Sequence, residues 1–158
     1  MTLVEAILPA IEGSTIAALL RNGRWSYAAV NAVHIFGIAL LIGAILPLDL
    51  RFLGLWRQAP VSELGRVLVP TAATGLAIAV AAGLLLFSVR AQEYAGNPFL
   101  LAKLLLVATG ASAALALHAS HGWLLRDASD RRLAWHGALS IACWTAALAC
   151  GRFIAFVD

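Results

Sequence analysis

Charge and soft sulfur are what this chain has least of. Asp, Glu, Lys and Arg make up 12% of its 158 residues, about half the share found in ordinary soluble domains. Methionine occurs once, at position 1, and cysteine twice, at Cys143 and Cys150. Copper(I) pathways depend on thioether and thiolate ligands, so this shortage counts against a copper channel. The two cysteines stand two turns apart on one expected helix, roughly 10 Å of rise. An intrahelical disulfide cannot bridge that distance, and they read as small apolar fillers. No phosphate-binding loop, dinucleotide fingerprint or zinc-type His/Cys spacing is present, and no nucleophilic triad can be assembled. The first residues carry Glu5 and Glu12 but no early Lys or Arg, so no signal peptide is read there.

What the chain does have is long apolar runs. Its residues are 62% hydrophobic, and four uncharged or nearly uncharged segments are long enough to cross a bilayer. The spans fall at about 25–46, 67–88, 99–119 and 133–157, within one transmembrane domain of residues 1–158. Residues 3–21 are apolar but interrupted by Pro9 and Gly13, with Ser14 placed to cap a short helix to about Arg21. That segment reads as an amphipathic piece lying at the interface. The expected fold is all-α: an integral-membrane, antiparallel four-helix bundle with a short interfacial N-terminal helix. Pro47 is expected to end the first span, leaving Asp49 and Arg51 as a solvated helix end.

The net charge of +3 comes from Lys and Arg at segment ends, a pattern of membrane topology that implies no nucleic-acid partner. Arg51, Arg57, Arg66, Arg126, Arg131 and Arg132 fall in the first and third loops, against Arg21, Arg24, Arg90, Lys103 and Arg152 on the other side. Lys103 and Arg152 lie within spans and weigh less, which puts both termini on the periplasmic side of a bacterial inner membrane. The tryptophans serve mainly as interfacial anchors.

The first span holds one imidazole, His34, with Tyr27, Asn31, Gly37 and Leu41 at helical spacing around it. An ionisable group inside a span is a functional candidate. Depth, at ~1.5 Å per residue, sorts the polar groups into two layers. The outer layer is His34, Lys103 and Arg152, with Asn31 and Tyr27 near it. The inner layer is His118, His121 and His136, roughly 20 Å away. Facing histidines in a bundle are common haem axial ligands, and Gly37, Gly110, Ala111 and Ala114 would leave space for a flat macrocycle. Arg152, Arg24 or Lys103 would pair with propionates. The plain readings are that His34 is a hydrogen-bonded bundle residue, that Lys103 and Arg152 snorkel to the interface, that His118 and His136 are boundary residues, and that His121 faces water.

The run HIFGIALLIGAILPLDLRFLG at 34–54 resembles an uncharacterised bacterial four-helix membrane family, the domain of unknown function numbered 6644. The resemblance rests on the histidine-led first span, on Asp49-Leu50-Arg51 with Leu53-Gly54, on Lys103-Leu104 and His118, and on Gly151-Arg152. It implies the fold and carries no assigned activity. More remotely, the chain is similar to protoporphyrinogen-oxidase-type membrane proteins, in which a first-helix His and a third-helix Lys serve a haem b site. His34 and Lys103 match that pair, although the arginine-rich motif of that group is absent after the first span. It is also similar to the copper-resistance D-type membrane domains.

These readings lead to a b-type haem protein for electron transfer, alone, as a homo-oligomer or as the anchor subunit of a larger redox complex. His34 is the first axial-ligand candidate, with Lys103 or a partner-supplied group opposite. A second haem at His118 and His136, and a propionate on Arg152, belong to the same reading. The alternatives are a metal-ion or small-solute transporter using His34, Lys103 and His118, and a structural subunit whose polar groups only fix helix register.

Overall fold

A computed structural model describes residues 3–123, 125 and 127–156. Arg126 and Val157, both used in the sequence reading, lie outside the described residues, as does the side chain of Glu5. The described chain is helical throughout: α1 (Leu3–Glu12), α2 (Thr15–Asn22), α3 (Arg24–Phe52), α4 (Val61–Ser88), α5 (Ala91–Ala95), α6 (Pro98–His121) and α7 (Asp130–Phe153), ending in a 3-10 turn at Ile154–Phe156. Helices α3, α4, α6 and α7 are long and apolar enough to cross a membrane. Their burial pattern is that of a membrane protein. Large apolar side chains such as Phe36, Leu105 and Leu115 point outward, and the interior is built largely of Ala, Gly and a few Leu. Where the solvent is lipid, small residues at the contacts let helices approach and pack.

The helix ends follow local chemistry. Ser14 accepts from the Ala17 N–H at 3.3 Å and starts α2, and Asn97 Oδ1 caps α6 through the Phe99 and Leu100 N–H groups. Pro9, expected to interrupt the first segment, sits inside α1, which ends only at Glu12. Pro47 likewise does not end α3, which runs on to Phe52. A proline removes one hydrogen bond and crowds the carbonyl four residues back; here that residue is Gly43, with open space around it. Continuing the helix buries Leu48, Asp49 and Phe52. Asp49 is therefore inside the bundle, not at a solvated end. The second span also begins earlier than expected, at Val61.

Helix α3 is the spine. It packs along α4 on one side and crosses α7 on the other, while α6 packs on α7; among the described residues α4 and α6 share at most a slight backbone contact. Both α3 contacts need glycine. A Cβ on Gly75 would stand 2.5 Å from the Leu41 nitrogen and one on Gly37 2.6 Å from the Ala79 nitrogen. At the α7 crossing, a Cβ on Gly137 would meet the Asp49 carbonyl oxygen at 2.8 Å. The N-terminal helices fold over the end of the bundle at which α3 begins and α4 ends, the expected outer end, where Arg21 donates to the Glu12 carbonyl at 2.7 Å and Glu12 accepts from the Gln92 N–H at 3.1 Å. Beside them, Tyr94 stacks near Phe87 at 6.4 Å between ring centroids. Burial first, then the neighbouring Tyr27 and Glu93, pushes the Tyr94 phenol above its ordinary range.

The contact geometry separates two glycines of similar sequence context. Gly75→Ala is expected to lower stability by about 1–3 kcal/mol through overpacking, whereas Gly43→Ala should leave it within about 0.5 kcal/mol. Thermal unfolding in detergent followed by circular dichroism measures both.

Candidate functional site

The two polar layers stand at opposite ends of the bundle, with different contents from those expected. At the outer level, His34 Nδ1–H donates to the Ala79 carbonyl on α4 at 2.7 Å. A carbonyl can only accept, so the proton is on Nδ1 and Nε2 is left as a free nitrogen donor. The ring packs against Gly83, 3.1 Å from where a Cβ would stand. Lys103 on α6 shares this level, half-buried, with its Nζ against the backbone of Gly151 on α7. The rest of the expected outer layer, Asn31, Tyr27 and Arg152, is exposed. Arg152 lies over the Phe156 ring at 4.7 Å.

At the inner end the structure brings His118 and His136 to one cavity and adds two residues that the sequence reading did not place there. Asp49 comes from α3 and Ser140 from α7. The cavity measures ≈ 240 Å³ and takes walls from all four spanning helices, with Gly110, Ala111 and Ala114 on the α6 side and Trp123 and Trp144 as aromatic surfaces. It is smaller than ordinary ligand pockets, which run ~300–1,000 Å³. Its exposed lining residues are Ala73 on α4, Ala114 and Leu115 on α6, and Trp123 just past α6, which puts an opening between α4 and α6.

Two polar atoms at this cavity are buried without a hydrogen-bond partner: Asp49 Oδ2 and His118 Nδ1. Asp49 is 4% exposed, with Ser140 as its polar neighbour. The His118 ring stands 5.3 Å from the Trp123 ring, centroid to centroid. His136 has Arg132, His121 and His118 around it. His121 does not simply face water: Arg132 donates to its Nε2 at 2.6 Å, and its Nδ1 lies 2.7 Å from Ser120 Oγ. Arg51, two residues after Asp49, turns away into the loop, donating to the carbonyls of Ala59 at 2.7 Å and Arg57 at 3.2 Å. Among the described residues, no lysine or arginine pairs with Asp49. The salt bridge found among the described residues is Arg90–Glu93, at the outer surface. Nor do three His, Cys, Asp or Glu groups gather as a metal-ligand set among the described residues. Cys143 is buried and Cys150 half-buried, and neither is in a disulfide.

The missing signal for Asp49 was its register. Leu41, Ala44, Leu48 and Phe52 recur at helical spacing across Pro47, which places Asp49 on the same side as the apolar stripe. No family model matches the chain, and no curated protein or solved structure does either.

A buried polar atom without a partner costs stability rather than supplying it. Asp49→Asn keeps the size and removes the ionisable group, so the unfolding temperature in detergent is expected to hold or rise. A fall of several degrees would instead assign Asp49 a structural role.

Proposed function

We propose that this is a b-type haem membrane protein that passes electrons, either alone or as the anchor subunit of a larger redox complex. It would reside in a bacterial inner membrane with both termini on the periplasmic side. The observation that carries the reading is the 2.7 Å bond from His34 Nδ1–H to the Ala79 carbonyl. Ligating histidines commonly donate their second ring N–H in this way, which fixes tautomer and orientation and raises donor strength. Here that bond leaves Nε2 as the free donor, inside a spanning helix. Lys103 stands at the same level as the opposite-side candidate, and a partner-supplied ligand is the other option. Haem would supply the one-electron chemistry. His34 would hold its iron, Ala79 would orient His34, and Gly83 provides the flat surface against which the ring is set.

Transport of a metal ion or small solute is a second reading, favoured by a separate observation: a largely apolar cavity holding Asp49 and His118 near one end and a free imidazole near the other. Copper or zinc binding by protein without a haem spectrum would support it.

The test is the visible spectrum of purified protein made with ample haem, oxidised and dithionite-reduced, for wild type and His34→Ala. A Soret band and a sharp reduced α-band, with haem content falling at least tenfold in the variant, are expected. No Soret band in the wild type would overturn the haem reading, and a band unchanged in His34→Ala would remove His34 from it.

A further inference from the structure

The haem site at His34 makes no use of the inner cavity, and that cavity has the chemistry of a site of its own. Asp49 is more than nine-tenths buried, lines the space and leaves Oδ2 without a partner. An unpaired carboxyl at membrane depth is costly and marks function. His118 Nδ1, on the same cavity, is also unpartnered. The remaining walls are apolar or aromatic, and the mouth faces sideways between α4 and α6.

We propose that this cavity binds the head group of a lipid-soluble hydroquinone (a quinol), with the apolar tail leaving between α4 and α6 into the bilayer. Four features select that class. The carboxylate needs a hydrogen-bond donor, which a phenolic hydroxyl provides; the imidazole nitrogen can take a hydroxyl in either tautomer, since a hydroxyl both gives and accepts. Trp123 and Trp144 offer surfaces for a flat ring. The volume of ≈ 240 Å³ suits one substituted ring and not a whole lipid. Finally, the groups around His136 are Arg132, His121 and His118. A ligand cation would meet that basic side, so a neutral donor fits better than a lipophilic amine. The oxidised quinone has carbonyl acceptors only and cannot hydrogen-bond the ionised Asp49 carboxylate, whereas the quinol can.

Binding is measured by anaerobic calorimetry on the full chain in nanodiscs, made without added haem so that the result stands apart from the haem reading. The probes are decyl-ubiquinol, decyl-ubiquinone and dodecylamine, each corrected with empty nanodiscs. Saturable quinol binding at one site per chain is expected, with the quinone roughly tenfold weaker, the loss of about one hydrogen bond. Asp49→Asn and His118→Leu should each weaken the quinol by about tenfold. Ala114→Trp, which fills the mouth from an exposed position, should abolish binding while the unfolding temperature stays unchanged. Any of three results overturns the proposal: no saturable quinol binding above empty nanodiscs, quinone binding as tight as quinol, or quinol binding undiminished in Ala114→Trp. Dodecylamine binding tighter than quinol and lost in Asp49→Asn would also overturn it, by assigning a cation site.

Discussion

The close approach of α3 to both its neighbours is the constraint from which the rest follows. At Gly37 and Gly75 the backbones of α3 and α4 come so near that a methyl group would collide with main-chain atoms, and Gly137 does the same for α7. In lipid, helices gain little by hiding apolar surface from one another, so such contacts carry much of the association. A bundle held along one central helix is not held evenly. Among the described residues α6 is attached mainly through α7, and α4 and α6 share at most a slight backbone contact. The inner cavity takes part of its walls from both of them.

The same geometry explains why the polar groups stay apart. His34 is fixed at the outer level by the Ala79 carbonyl across the glycine contact. Fifteen residues later on α3, roughly 22 Å at helical rise, Asp49 sits beside the Gly137 crossing and opens into the cavity. The run 49–54 then divides its work. Asp49 points inward, Arg51 holds the α3–α4 loop through two carbonyls, and Gly54 turns the chain at φ +100°, where a side chain would be strained. A short polar element that looks like a solvated helix end is in fact half site and half loop clasp.

The architecture was legible in the sequence because lipid enforces it. Spans must be long, apolar and helical, and all four were found, as was the Ser14-capped interfacial helix. Depth counting also kept His34 with Lys103 and His118 with His136. The rotational position of side chains was not legible. Asn31 and Arg152 share the outer level yet are exposed, since which face of a helix is covered depends on which neighbours reach that level. Asp49 was misplaced because Pro47 was given the power to stop a helix. Burial of Leu48, Asp49 and Phe52 outweighed one missing hydrogen bond.

The central claim is that a polar site lies inside a bundle that opens sideways to lipid. A nitroxide attached at Ala114→Cys, with Cys143 and Cys150 replaced by alanine, tests it through collision accessibility in nanodiscs. The account predicts strong relaxation by oxygen, which concentrates in the bilayer, and little by a water-soluble nickel complex. A label reached readily by the nickel complex, or by neither reagent, would contradict a cavity whose mouth faces the bilayer.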